Sequence, residues 1–599
     1  MCGICGEYKF NRGREQGRAS EGKIKAMLGP LARRGPDDEG SYLSGPMGMG
    51  HRRLAIIDLS QASQQPMVSD DQSLAIVFNG TIYNYPQLRQ QLRGLGVSFK
   101  SSGDTEVIMQ AYRVWGEDCV KHLIGMFAFA IWDANKRRFF VARDRLGIKP
   151  LYYAETSNSF LFASNTQALL ATGEINTEID SQALQHQFTL HAVIPAPRTI
   201  LAGIRKLPPG HFMWVDENGV GDAQSYWQLS ARRQHQYSAE EWVYEIQQSL
   251  QTAVDRRLEI ADVPVGVLLS GGLDSSLLVG LLAQKYGQVK TYSVGFEDQP
   301  EERGHEFEYS DAVVEKFATD HQRFHIQNDQ VLKRLPEAIT HMPEPMVAQD
   351  AVAFYLLAEQ VSQDIKVVQS GQGADELFAG YFWYPKMQSA QGSALERFAP
   401  YYFDRDFAEY AQTVEPDYVQ QDYTSQLVRQ ALEQCEADTH IDSVLHFDVT
   451  TLIVDDPVKR VDSMTMAWGL EARVPFLDHE LVELAMTMPP EMKLASGGKH
   501  VLKQISRGLV PDSVIDRPKG YFPMPALKYV RGEFLTMVTD VLNSSACRQR
   551  GLFARDYVDR LLDAPDQHHT RLQGSKVWHM ALLELWLQTH VDSVPSPSP

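Results

Sequence analysis

Cysteine is scarce in this chain, with five residues in 599. So few thiols build no disulfide framework, and a reducing cytosol is the expected compartment. Long apolar runs are missing too. None reaches the ~18 residues that a membrane span needs, and nothing resembling a secretory leader precedes Cys2. Positive charge is in deficit: 57 Lys and Arg face 76 Asp and Glu, a net charge of −19. That balance argues against nucleic acid as the main partner, while leaving room for a local nucleotide pocket. With 43% hydrophobic and 22% charged residues the composition is that of an ordinary globular protein. A length of 599 residues exceeds one core, so two to four domains are expected.

The chain opens Met1-Cys2-Gly3-Ile4-Cys5-Gly6. Removal of the initiator Met makes Cys2 the first residue, carrying a thiol and an α-amine together. The amine titrates near pH ~8, so its neutral fraction can take the thiol proton, the N-terminal-nucleophile route to an activated side chain. A competing reading takes Cys2 and Cys5 as a C-x-x-C zinc half-site or redox pair. Zinc would need a second pair of ligands, and Cys119, Cys435 and Cys547 are scattered singly.

Two regions differ in pattern. Residues 1 to about 205 read as mainly β, with strands at Leu74–Phe78 and Phe139–Ala142 and punctuation at Asn79-Gly80, Gly94 and Gly103. Leu123 to Trp132 is apolar throughout, as suits a strand buried on both faces. A Pro- and Gly-rich stretch, 195–210, suggests a domain end, and the polar segment 215–238 reads as a linker. From about 239, strands at 263–269, 290–296 and 365–369 alternate with helical patterns, which predicts a doubly wound parallel sheet. Residues 425–592 read as mostly helical, and 593–599 as a disordered tail.

Ser270-Gly271-Gly272-Leu273-Asp274-Ser275 follows the first of those strands and opens a helix. Two glycines let backbone amides approach an anion, and the helix N-terminus and Ser hydroxyls add donors. No Lys follows, so it is not the G-x-x-x-x-G-K-[ST] loop. It looks like the PP-loop of enzymes that hold pyrophosphate while adenylating a substrate. A carboxylate beside pyrophosphate repels it unless Mg²⁺ intervenes, which assigns Asp274 to metal. The third strand ends in Ser370-Gly371-Gln372-Gly373-Ala374-Asp375-Glu376, where Asp375 is the natural second ligand. Glu376 reads equally well as a first-turn helix charge.

The chain as a whole resembles the glutamine-dependent asparagine synthetases. The resemblance rests on Cys2-Gly-Ile4, Arg34-Gly-Pro-Asp37, Gly50-His-Arg-Arg-Leu54, Asn79-Gly80, Ser102-Gly-Asp-Thr-Glu106, Ala142-Arg-Asp-Arg-Leu-Gly147, Ser270–Ser275 and Gly373–Glu376. It implies an N-terminal-nucleophile glutaminase domain over 2–210, an antiparallel β sandwich with helices. It implies a doubly wound parallel-sheet (α/β) PP-loop synthetase domain over 239–592 with a helical C-terminal part. Cys2 would attack L-glutamine and release ammonia, with Asn79 and Gly80 forming the oxyanion hole. Arg53, Ile56, Thr81 and Asp104 would complete the glutamine site, Arg53 clamping the α-carboxylate and Asp104 holding the ammonium. ATP would then adenylate an acceptor carboxylate, with Mg²⁺ assisting, and ammonia would displace AMP. The implied ATP positions are Leu269, Ser270, Gly271, Gly272, Asp274, Ser275, Val294, Ser370 and Gly371. Lys519, in Arg517-Pro-Lys-Gly-Tyr521, resembles the lysine that steadies phosphate charge. Two chemistries on one chain further predict an apolar tunnel between the halves. A homodimer is left open.

Two departures stand out. Thr81 replaces the family's usual Glu after Asn79-Gly80, and Gln372 stands where asparagine synthetases have a Glu thought to act as a base near ammonia. Gln cannot accept that proton. The runs Val368–Tyr381, Asp455–Asp462 and Arg517–Pro523 are similar to the N-acetylglutaminylglutamine amidotransferase branch, which amidates the C-terminal carboxylate of a blocked dipeptide osmolyte. The expected acceptor is therefore a small carboxylate, this dipeptide with Gln372 at its site. Aspartate and a cell-surface precursor are the alternatives, and a non-catalytic sensor the remaining one. Residues 349–355 and 381–384 are expected to read the acceptor.

Overall fold

The computed structural model describes residues 2–10, 17–300, 303–517, 520 and 525–593. Lys519, Tyr521 and the tail 594–599 lie outside the described residues.

The N-terminal half is built from two antiparallel sheets laid face to face. Gly3–Lys9 runs inside the first, between Met47–Arg53 and Ser159–Ala163. In the second, Leu74–Ile82 and Gly125–Asp133 pair along their full lengths. Period-2 alternation sorts their side chains. Ile4, Tyr8, Met47, Met49, Ala75, Val77, Ala128 and Ala130 fill the space between the sheets. Ile76, Phe78, Phe127, Phe129 and Ile131 point to the other face. There they pack under two helices, Tyr85–Gly94 and Asp104–Trp115. The Gly125–Asp133 strand is thus buried on both faces, as its unbroken apolar run predicts. The first sheet is covered on its outside by Glu21–Leu28, giving four layers, helix–sheet–sheet–helix. Beyond 210 the chain continues in this sandwich: His211–Asp216 pairs with residues 139–142, so the segment read as a linker from 215 begins inside a strand.

Helix Ala239–Glu259, started by a Ser238–Glu241 capping box, leads into the second half. Its sheet has five parallel strands in the order Asp320–Ile326, Lys290–Phe296, Val265–Leu268, Val367–Gln369, Glu471–Arg473. The first strand in sequence is central; its successors go to one side, then to the other. Such a reversal opens a crevice at the carboxyl ends of the strands. Of the five, Asp320–Ile326 and Glu471–Arg473 are unexpected: one is a polar, half-exposed edge, the other three buried residues. Two π-helical turns, Asp448–Leu452 and Val454–Val458, interrupt the helical C-terminal part and turn Asp448 and Asp456 toward that crevice.

The halves are joined by buried charge. Asp462 accepts from Lys149 at 2.9 Å and from Arg34 at 3.0 Å, all three side chains at most 7% exposed. Nearby, Lys206 pairs with Asp455 at 2.9 Å and Glu344 at 3.1 Å. Removing one member of such a cluster strands the others, at a cost of about 3–5 kcal/mol. Asp462→Asn should therefore lower stability by that order, read as a fall in Tm. An unchanged Tm would show that the cluster does not hold the halves together.

Candidate active sites

The first site forms where the two sheets meet. Cys2 enters from the first sheet, and its backbone nitrogen donates to Asn79 Oδ1 at 3.0 Å, from the second. That bond fixes the Asn79 amide and leaves its Nδ2 buried without a hydrogen-bond partner. A buried, unspent donor is held ready for an oxygen that arrives with a ligand. Gly80 follows; a Cβ there would stand 2.1 Å from the Met126 carbonyl oxygen, so no other residue fits this strand. Burial pushes the Cys2 thiol up, with the Leu54 amide and Arg53 pulling against it. Arg53 is held by two loop carbonyls, Nη1 to Ser60 at 3.0 Å and Nη2 to Asp58. Ile56 is buried beside this loop, and Thr81 Oγ1 donates to Glu471 Oε1 at 3.4 Å, across the boundary between the halves.

Asp104, the first residue of its helix, accepts from the Ile82 amide at 3.1 Å. Burial lifts its carboxyl to about 6 against that bond. Sequence reasoning missed Asp58, whose carboxylate gathers Ser60, Ser63 and the Ser102 amide and so ties the Arg53 loop to the start of the Asp104 helix. It missed the use of Arg34 as well: Nε donates to the Cys2 carbonyl at 3.3 Å while Nη2 reaches Asp462. The C-x-x-C reading fails on strand geometry. Three residues apart on an extended chain, Cys2 and Cys5 face opposite ways, and Cys5 is sealed in the core against Gly50.

The raised Asp104 carboxyl makes a signed prediction. For the ammonium-holding role that the resemblance implies, protonation below pH ~6 would break the pairing, so kcat/KM for glutamine should fall about tenfold per pH unit there. Asp104→Asn should remove that limb; a wild-type profile flat down to pH 5 would relieve Asp104 of this role.

The second site is the crevice of the parallel sheet, a cavity of about 730 Å³. Leu269, Ser270, Gly272, Asp274, Ser275, Val294, Ser370, Gly371, Gln372 and Asp375 all line it. The loop is shaped by its own serines: Gly272 N donates to Ser270 Oγ at 3.3 Å, and Ser270 and Ser275 hydroxyls meet at 3.1 Å. Gly271 takes φ +76, and a Cβ would press the Ser310 amide at 2.7 Å. Gly272 caps Leu273–Tyr286 without a side chain, leaving that helix end open to an anion. Asp274 and Asp375 converge, and what joins them is Lys499 Nζ, at 2.5 and 2.7 Å. Burial works against the Lys499 charge, but the two carboxylates hold it protonated. Two carboxylates on one cation also form a donor set for Mg²⁺. Of the segments expected to read the acceptor, Gln349, Asp350, Phe354, Tyr381 and Trp383 line the cavity, while Tyr384 turns to Asp448 and Tyr355 to Arg33.

Taken with the matched families, these two sites belong to a glutamine-dependent amidotransferase that uses ATP to form a carbon–nitrogen bond. Residues 1–227 match the family described as glutamine amidotransferase domain, and 245–588 that described as asparagine synthase. The chain belongs to the asparagine synthase family. Over 98% of its length it is 32% identical to asparagine synthetase [glutamine-hydrolyzing] 3 of Bacillus subtilis, covering 99% of that protein. Over 99% it is 30% identical to that organism's asparagine synthetase [glutamine-hydrolyzing] 1, covering 97% of it. It is also 27% identical to amidase chyE of Penicillium rubens, over 88% of this chain and 89% of that one. No helix among the described residues is long and apolar enough to cross a membrane.

Proposed function

We propose that this chain transfers the amide nitrogen of glutamine to the C-terminal carboxylate of N-acetylglutaminylglutamine, in the cytosol. The observation that carries this reading is the state of the acids in the lobe beyond the PP-loop. Asp350 is engaged by Arg460 Nε at 2.7 Å, and Asp456 by Arg460 Nη1. Glu376 accepts from Tyr381 at 2.8 Å, and Asp448 from Tyr384. Each acid already faces an arginine or a tyrosine hydroxyl of the protein, while Tyr381, Trp383, Tyr402 and Trp578 wall the lobe. Aspartate brings an α-ammonium that needs a carboxylate; a dipeptide blocked at its amine brings none. Gln372 on the same wall points the same way, since an amide rather than an ionisable base stands at that position.

Cys2 Sγ attacks the glutamine amide carbon, and the oxyanion is met by Asn79 Nδ2 and the Gly80 amide. Ammonia leaves, and water releases glutamate from the thioester. Arg53, Ile56, Thr81 and Asp104 position the glutamine. In the crevice the acceptor carboxylate attacks the α-phosphorus of ATP and expels pyrophosphate, which the 270–275 loop, Ser370 and Gly371 receive. Ammonia then displaces AMP from the acyl-adenylate. Mg²⁺ held by Asp274 and Asp375 would screen the phosphate charges. Lys519 is assigned the same task from outside the described residues. A synthetase domain over 239–592, preceded by a glutaminase domain that runs past 210 through the His211–Asp216 strand, goes with this division of labour, and dimerisation is compatible with it.

The test incubates the enzyme with ATP, Mg²⁺ and ¹⁵N-amide glutamine, offering N-acetylglutaminylglutamine or aspartate. Label in the dipeptide amide is expected. Label in asparagine would return the acceptor to aspartate and make Gln372 a neutral exchange.

A further inference from the structure

We propose that His191, Asp404 and His579 bind one divalent transition-metal ion, at a site separate from Asp274 and Asp375. The three come from distant segments. His191 follows helix Ser181–Thr189, Asp404 lies between Ala394–Tyr402 and Phe407–Thr413, and His579 sits inside Lys576–Leu587. One donor atom from each lies within 4.8 Å of the other two. Asp404 Oδ2 is 2.8 Å from His191 Nδ1 and 3.7 Å from His579 Nδ1. These values bracket the roughly 3.3 Å between two ligand atoms that each stand ~2.05 Å from a tetrahedral ion.

The second observation is that the cluster is unsatisfied. His579 is 1% exposed, yet neither ring nitrogen has a hydrogen-bond partner, and Asp404 Oδ1 has none either. Buried polar atoms are seldom left this way, because each forfeits its bonds to water. A cation in reach of all three side chains supplies the missing partner. The two rings stand 5.2 Å apart at 65°, edge to face rather than stacked against each other. Gly574 keeps the floor clear: a Cβ there would come within 2.9 Å of His579 Nε2 and 3.5 Å of His191 Cε1.

Neighbouring cations are largely engaged elsewhere, though Arg405 Nη1 is buried without a hydrogen-bond partner. Arg405 Nε donates to Tyr557 Oη at 3.0 Å and Nη2 to the Lys576 carbonyl at 3.1 Å, while Lys576 Nζ pairs with Glu409 at 2.5 Å. Two imidazoles and one carboxylate suit Zn²⁺, Fe²⁺ or Co²⁺ rather than Mg²⁺, which takes oxygen donors. His191 and Gly574 line the synthetase cavity, so a fourth ligand, water or substrate, would reach the ion from there. The ion would also staple His191 to two elements more than 200 residues further on, as the numbering shows.

The test uses the full chain, stripped by chelator, reloaded with Zn²⁺ or Co²⁺ and desalted. One ion per chain should stay, Co²⁺ should give the visible bands of a low-coordinate nitrogen–oxygen site, and Zn²⁺ should raise Tm. His191→Asn, His579→Gln and Asp404→Asn should each weaken retention by at least about 100-fold, since even outer-shell changes cost 10–100-fold. Asp274→Ala should leave it intact. His191 is the most exposed of the three, so its variant still reports if the buried ones fail to fold. Wild-type chain retaining no more Zn²⁺ than His191→Asn overturns the site, as does retention lost with Asp274→Ala instead.

Discussion

Replacing Cys2 by alanine should lower glutamine-driven amidation by roughly 10⁴-fold or more, the order lost when a covalent nucleophile is removed, and leave ammonia-driven amidation at the wild-type rate. The split follows from where the thiol stands. Cys2 precedes the Gly3–Lys9 strand of the N-terminal sandwich, whereas the nucleotide loop follows the Val265–Leu268 strand of the parallel sheet. The bond from Arg34 Nε to the Cys2 carbonyl, which leads on through Arg34 Nη2 to Asp462, is made by the Cys2 backbone and survives the substitution. Alanine also keeps the nitrogen that donates to Asn79. Removing Met1 would turn that nitrogen into an α-amine already oriented by Asn79, beside a thiol that burial keeps protonated until a base takes its proton. Product amide measured with glutamine and with ammonium chloride separates the outcomes. Loss of both activities with an unchanged Tm would make Cys2 a residue of the coupling rather than of the hydrolysis.

Strong local patterns were the legible part of this fold. The 123–132 run could be read as a doubly buried strand because both faces are apolar, and 290–296 because β-branched residues end at Gly295-Phe296. The loop at 270–275 was legible because strand, glycines and helix start are contiguous. Asp320–Ile326 was not, since an edge strand with a wet face carries polar residues at most positions. Glu471–Arg473 was not, since three residues hold no period and their charges are buried by pairing with each other. Partners across long separations escaped for the same reason. Lys499 follows Gly497-Gly498 in a left-handed turn, 225 residues from Asp274, and nothing local marks it as a counter-ion. His191 sits at φ +53 in an aperiodic bend, and only the docking of the halves brings it to the synthetase cavity.

Asp274→Ala and Asp375→Asn should each abolish ATP–pyrophosphate exchange, whether glutamine or ammonia is the nitrogen source. Both carboxylates end on the same ammonium, Lys499 Nζ at 2.5 and 2.7 Å, so this point of the crevice is built for positive charge. Asp274 and Asp375 would hold a Mg²⁺ ion bound with ATP through the same oxygens. The Lys499 ammonium would then turn to the phosphates or share the carboxylates, and in both cases the carboxylates are needed. Without one of them the remaining pair carries no surplus negative charge, and the affinity for a divalent cation falls with it. Loss should therefore be steep, on the order of 10³-fold for a group acting on developing charge in a dry site, and extra Mg²⁺ should restore part of it in Asp375→Asn. Lys499→Ala separates the two uses of the lysine. If it only holds the carboxylates apart, exchange persists at a lower Mg²⁺ requirement; if it also meets the phosphates, exchange falls with that of the aspartate variants. Each variant leaves a buried charge with fewer partners, so Tm is measured beside exchange, and a variant that melts early is read through its pair. Exchange persisting in folded Asp274→Ala would sink the metal assignment and leave Asp274 as an anchor for Lys499 alone.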